Sequence, residues 1–267
     1  MRRILLMSFA AVIGLGLAAR AEVSIKGSTT VFPIAQKTAE VYMNNHSGKS
    51  VSVSGGGSGI GITALIDGTA DIAASSRELK SEEAARAEGN IIEEKIARDA
   101  IAMVVHPSNS VSNLTRAQVR DIYGGKIKNW KELGGADIKI VLANRESTSG
   151  TFEALKKFLV DDMFEKFASR IYTAASSGAM TNFVAGSKGA IGYVGLGFLD
   201  SKVKALTING VAPTMETAKE GGGYPYSRYL YMMRRIEVRP EVMDYVNFVK
   251  SKDGQAIVKE LKFVPIY

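Results

Sequence analysis

"IKIVLANRESTSGTFEALKKFLV", residues 138–160, runs from an apolar, strand-like segment (138–143) through a polar and glycine stretch, Arg145 to Thr151, into a helical pattern that ends near 160. A strand that turns directly into a helix is the repeating unit of an α/β fold. The hydroxyls at the turn have an ordinary use, because Ser and Thr cap the free N–H groups of a helix start. They also have a second use. The same N–H groups, with the hydroxyls and the fixed cation of Arg145, make a seat for an oxyanion. One such stretch does not choose between the two.

The turn has company. "IKGSTTVFPIAQ", 25–36, passes from a strand through Gly27, Ser28, Thr29 and Thr30 into a helix with Pro33 in its first turn. "VSGGGSGIGITALI", 53–66, repeats the step through Gly55, Gly56, Gly57, Ser58 and Gly59. Glycine there lets backbone N–H groups turn inward toward a ligand. "ASSRELKSEE", 74–83, is a fourth candidate, with Ser75 and Ser76 at a strand end and Arg77 beside them. Gly48-Lys49-Ser50 looks like the end of a P-loop, but Met43 holds the earlier glycine position, and no GxGxxG occurs. A small free anion therefore fits better than a nucleotide.

Around these turns the chain alternates strand-like runs (23–26, 50–53, 71–74, 101–106, 138–143, 189–199) with helical ones (33–45, 60–66, 77–88, 240–250). At 267 residues, 46% hydrophobic and 23% charged, the composition is that of a globular protein with room for two lobes. Residues 1–21 read as a cleaved export signal: Arg2 and Arg3 precede an uncharged run, and Ala19-Arg20-Ala21 offers a small-x-small cleavage site. A retained anchor is the alternative. With the signal removed, 31 basic residues face 27 acidic ones, a net of +4 that suits an anion ligand and argues against nucleic acid. The absence of cysteine excludes disulfides and thiolate metal sites. Neither His46 nor His106 lies in a cluster with metal-ligand spacing, and no G-x-S-x-G elbow exists. No catalytic residue, metal or cofactor is expected, and a secreted phosphoester hydrolase has little support.

The ordered set "GSTTVFP", "SGGGSGIGI", "GTADIAASSRELK", "VSNLTRAQVRDIYGGKIKNWKELGG", "RESTSGTFE", "GAIGYVGLGFL" and "YPYSRYLY" resembles the phosphate-binding proteins of bacterial ABC importers, in their shorter variant. The resemblance covers essentially all of the chain after the signal. It implies an α/β, two-lobed periplasmic binding fold of type II-like form, each lobe a mixed sheet flanked by helices, with the ligand in the interlobe cleft. The lobes are expected as 22–101 with 200–267, and 102–199, with crossovers near 98–106 and 191–199. The implied phosphate site is Ser28, Thr29, Thr30, Ser58, Ser76, Arg77, Arg145, Ser149, Gly150 and Thr151.

The implied partners are inorganic phosphate and an inner-membrane ABC permease, for a monomer in the periplasm. Longer family members carry an acidic residue where this chain has Ser76. Discrimination of phosphate from sulfate then needs another acceptor, and sulfate, molybdate or tungstate stays open as the alternative ligand. Glu146 reads as the ion-pair partner of Arg145. Arg77 reads either as a direct anion contact or as a solvated charge. Tyr224, Tyr226, Tyr229 and Tyr231 read as a cleft-edge strand.

Overall fold

The computed structural model describes residues 23–160, 167–168 and 171–267, so the expected export signal at 1–21 lies outside the described residues. The chain opens with β1 (Val23–Gly27), α1 (Phe32–Asn45), β2 (Val51–Ser54), α2 (Ser58–Ile66) and β3 (Ile72–Ser75). Each helix here carries the chain back over the sheet, so β1 pairs in parallel with both β2 and β3. A short α3 (Ser81–Arg86) leads to β4 (Ile91–Val105).

The next part comprises β5 (Asn113–Leu114), α4 (Arg116–Tyr123), β6 (Val141–Arg145), α5 (Gly150–Val160), β7 (Tyr172–Ala174), α6 (Ser177–Ala185) and β8 (Ala190–Gly195). Then come β9 (Lys204–Ala205), β10 (Thr207–Ile208), α7 (Met215–Ala218), β11 (Ser227–Arg235), α8 (Pro240–Lys250) and α9 (Lys252–Glu260). Among the described residues, one sheet runs in the order β2-β1-β3-β11-β4-β8-β6-β7, with β9 beside β4, and β10 pairs separately with β5. The architecture is mixed α/β in two lobes, as expected.

Two antiparallel strands hold the lobes together. The first part of β4, up to Ala100, pairs with β11; from Ile101 on it pairs with β8. Its side chains change cores at the same place. Ile96 and Ala97 bury with Ile25, Ile34, Ile72, Leu230, Tyr245 and Phe263 of the first lobe. Ile101 to Val105 bury with Trp130, Leu142, Leu155, Tyr193 and Val194 of the second. The strand expected over 101–106 thus begins ten residues earlier, at Ile91. Its charges hid it: Glu94 pairs with Arg234 at 2.8 Å and Lys250 at 2.9 Å, contacts that no local pattern announces.

Core membership and one helix differ from the sequence pattern. The chain leaves the second core for β11 at Tyr226 and Ser227. The Tyr226 carbonyl accepts from the Ile101 N–H at 2.9 Å and Ser227 pairs with Ala100, whereas β8 is buried throughout in the second lobe. Val203, Leu206, Ile208, Ala218, Tyr224 and Tyr226, expected with the first lobe in 200–267, bury in the second core, because β9 pairs with the far end of β4. The helix expected over 77–88 shrinks to Ser81–Arg86, because the Glu83 carboxylate turns back to accept the Lys80 N–H at 2.9 Å and closes the helix start there.

The aromatic run at 224–231 enters β11, which is paired on both sides and carries Tyr229 and Tyr231. At the C-terminal end, Phe263 is fully buried in the first core and its ring lies against Gly197 of the loop after β8. Phe263→Ala is expected to lower stability by about 3–5 kcal/mol through cavity formation. Urea denaturation followed by circular dichroism measures it.

Candidate functional site

Four strand ends meet where the lobes face each other. In the first lobe, the turn after β1 is shaped by Ser28, whose Oγ accepts from the N–H groups of Thr30 at 3.2 Å and Val31 at 3.3 Å. In the second, Ser149 Oγ accepts from the Phe152 N–H at 3.3 Å and starts α5. Ser149 thus caps its helix, whereas Ser28 braces the turn before α1, whose N-cap Val31 has no side-chain cap. Accepting an N–H does not use up a hydroxyl, because each still has its own proton to donate.

The lobes touch through the expected residues. Thr30 Oγ1 lies 2.9 Å from Thr151 Oγ1, and the Arg145 Nη2 donates to Thr29 Oγ1 at 3.2 Å. Ser58 Oγ lies 3.3 Å from Ser76 Oγ and accepts the Ser76 N–H at 3.1 Å. Gly150 packs against that serine pair: a Cβ there would stand 2.2 Å from Ser58 Oγ and 2.6 Å from Ser76 Oγ. Only glycine allows α5 to approach so closely. Gly57, at φ +100°, lets Thr148 come as near on the other flank, where the Gly59 N–H donates to the Thr148 carbonyl at 2.9 Å. Ser28, Thr30, Ser58, Ser76, Arg145, Ser149 and Thr151 are all buried.

Arg145 is the charged centre. Its guanidinium binds Glu146 through Nε at 3.0 Å and Nη2 at 2.7 Å, the pairing expected from the sequence, and Nε also reaches the Ala174 carbonyl at 2.9 Å. Its backbone N–H donates to the Tyr193 hydroxyl at 3.1 Å, which in turn donates to Asn144 Oδ1. Burial pushes the Tyr193 phenol well above its ordinary range, so it stays a neutral donor.

The structure does not bring the Arg77 guanidinium into this group. It forms two bonds to Glu83, at 2.6 and 2.7 Å, and one to the Glu78 carbonyl at 2.8 Å. Arg77 instead lines a cavity of about 390 Å³ between the lobes, together with Lys80, Arg98, Glu153 and Tyr229. Lys80 reaches Glu153 at 3.3 Å across that cavity.

Sequence reasoning missed a buried ion pair behind the serines. Arg228 on β11 binds Asp99 on β4 at 2.8 and 3.1 Å, and its Nη1 donates to the Ser76 carbonyl at 3.2 Å. Asp99 also accepts the Leu196 N–H at 2.8 Å. Burial pushes the Asp99 carboxyl up while Arg228 pulls it down; burial lowers Arg228, Asp99 raises it, and the charge of Arg145 lowers it again. Two guanidiniums thus sense each other across the seat, each with its own carboxylate. A charged Arg98-Asp99 pair inside an otherwise apolar strand, "IARDAIAM", was the available signal for Asp99; Arg228 gave none. Ser177 was missed too, although "YTAASSGAM", 172–180, has the same strand, hydroxyl and glycine order as the other turns.

The sequence profile of the PBP superfamily domain matches residues 16–253. Phosphate-binding protein PstS of Bacillus subtilis (strain 168) is 32% identical over 250 residues, spanning 93% of this chain and 82% of the relative. The chain belongs to the PstS family. A second relative in that family, phosphate-binding protein PstS of Borreliella burgdorferi, is 32% identical over 91% of this chain and 90% of its own.

Among solved structures, a substrate-binding protein from Clostridium perfringens crystallised with bound phosphate superposes with a TM-score of 0.87 at 34% identity, over 92% of this chain and 99% of that one. An ABC-type phosphate transport receptor from Vibrio cholerae gives 0.76 at 32% identity, over 92% and 100%. The two-lobed fold is thus that of the PstS family.

Two outcomes follow. Asp99→Ala leaves the Arg228 charge buried without its partner and is expected to cost about 3–5 kcal/mol, read from urea unfolding. Burial raises the Glu83 carboxyl, but the Arg77 hydrogen bonds and the Lys80 N–H outweigh it and hold the group below its ordinary value. Its folded pKa is the lower one, so its contribution is present above the unfolded value of about 4.3 and disappears as pH falls through the folded value. The urea midpoint is expected to fall below pH about 4, and less steeply in Glu83→Gln.

Proposed function

We propose that this protein captures inorganic phosphate between its lobes outside the cytoplasm and hands it to an ABC transporter. One observation carries the reading: a buried guanidinium, Arg145, reaches from one lobe to a hydroxyl of the other inside a ring of helix-start serines and threonines. Helix-start N–H groups, hydroxyls and a guanidinium are the donors that a tetrahedral oxyanion requires. The net excess of basic residues, the export-like N-terminus and the PstS relationship support the same role.

The proposed division is 23–100 with 227–267 against 101–226, set by the change of strand partner after Ala100, although Ala100 and Val264 bury with the second core. Closure of these units on the anion is the change a membrane partner reads. Binding without catalysis agrees with the positions of His46, stacked on Tyr42, and His106, bonded to Ser108. Among the described residues no cluster of His, Asp or Glu is placed to hold a metal, and no helix is long and apolar enough to cross a membrane.

A second reading, another tetrahedral oxyanion such as sulfate, has its own support. Glu146 and Asp99, the carboxylates nearest the seat, are both engaged by arginines. Neither carboxylate repels a fully ionised anion as a bare charge.

Calorimetric titration of ligand-stripped protein with phosphate at pH 7 tests the main reading. Arg145→Ala is expected to remove about 2–5 kcal/mol, at least about 30-fold in Kd. Absence of phosphate binding by the unaltered protein, or a variant that binds as well, overturns the proposal.

A further inference from the structure

We infer that Ser177 is a further anion-contacting residue, and that its hydroxyl helps to distinguish a protonated oxyanion from a fully ionised one. The inference rests on the reading of the seat given above. Ser177 opens α6 and is buried. Its hydroxyl is not needed for capping, because Ser176 Oγ already accepts the Ala179 N–H at 3.0 Å. Its contacts lie in the seat instead. Ser177 Oγ stands 3.4 Å from each of Thr29 Oγ1, Thr30 Oγ1 and Arg145 Nη1, and the Ser177 N–H donates to Thr29 Oγ1 at 3.3 Å. One side chain thereby meets the first lobe, the second lobe and the central cation.

The direction of each hydroxyl follows from counting. A hydroxyl offers one proton and two lone pairs. Ser28 Oγ has both lone pairs engaged by the N–H groups of Thr30 and Val31. Thr29 Oγ1 has both engaged by Arg145 Nη2 and the Ser177 N–H. Those two can only donate, which suits deprotonated oxygens. Thr30 and Thr151 turn to each other at 2.9 Å and spend part of their capacity there. Ser177 Oγ faces a single fixed donor, Arg145 Nη1 at the long distance of 3.4 Å, and its other two neighbours are hydroxyls whose protons can turn.

Ser177 therefore keeps an accepting lone pair beside the cation. Phosphate at neutral pH carries at least one P–O–H that needs an acceptor, and sulfate carries none. Leaving a buried donor unmatched is costly, whereas a hydroxyl that meets an ionised oxygen simply turns and donates. Ser177 accordingly favours the protonated anion without excluding the other.

The experiment is calorimetry of phosphate and of sulfate at pH 7 on the unaltered protein, Ser177→Ala, Ser177→Thr and Thr151→Val, with the thermal midpoint of each without ligand. Ser177→Ala is expected to weaken phosphate binding about tenfold and sulfate binding less than about twofold. Its ligand-free midpoint stays where it was, and Ser177→Thr restores the phosphate affinity. Equal losses for both anions, no loss for either, or a selectivity change confined to Thr151→Val overturns the assignment. If the unaltered protein binds sulfate as well as phosphate, the selectivity claim falls while the seat stands; if it binds neither, the seat falls with it.

Discussion

The buried pair of Asp99 and Arg228 is the contact on which the rest of the molecule turns. It sits where β4 and β11 cross from one lobe to the other, and it gathers groups from distant parts of the chain. Arg228 holds the carbonyl of Ser76, and Asp99 holds the N–H of Leu196. Gly195, just before that residue, lies against both Asp99 and Thr30, so the pair sits directly under the seat. A charge pair this deep adds little net stability beside an apolar pair of the same size, but either half alone is strongly unfavourable. It therefore locks the two strands in one register.

Each cation near the seat has a partner of its own: Glu146 for Arg145 and Asp99 for Arg228. Two guanidiniums in one buried region would otherwise repel each other, since little water is present to screen them. Pairing removes that cost while leaving Nη1 and Nη2 of Arg145 directed at hydroxyls. In the proposed seat an anion would meet dipoles and shared protons more than bare charge. Such a seat orders its ligand geometrically, through the fixed directions of N–H and guanidinium groups.

The glycines of the turns do a different job from the one their flexibility suggests. Gly150 allows α5 to press on Ser58 and Ser76, and Gly57 allows Thr148 to close the opposite flank. Around the seat the lobes meet through backbone, small hydroxyls and the Arg145 guanidinium, so the contact is close and short-ranged. Outside it, Lys80 with Glu153 and Glu78 with Lys157 bridge the same cleft at its more exposed edge. These outer pairs are long and partly solvated, and they contribute little beside the inner ring.

Much of this was legible in order along the chain. The alternation of apolar runs and helix patterns gave the α/β class, and the strand, hydroxyl, glycine, helix order marked the turns at 27–30, 55–59 and 145–151, because helix-start chemistry is local; the choice of Thr29, Thr30, Ser58, Arg145, Ser149, Gly150 and Thr151 within them came from the family resemblance. The same order at 174–178 carried Ser177 and could have been used. What remained hidden was whatever depends on pairing across the chain. The first nine residues of β4 read as polar from their charges, and the partners that neutralise Glu94 lie 140 and 156 positions away. Arg77 looked free until Glu83 folded back onto it. Sequence determines which groups can donate at a helix start; only the tertiary structure decides which charges find partners, because Coulomb attraction and burial depend on distance in space and not on separation along the chain.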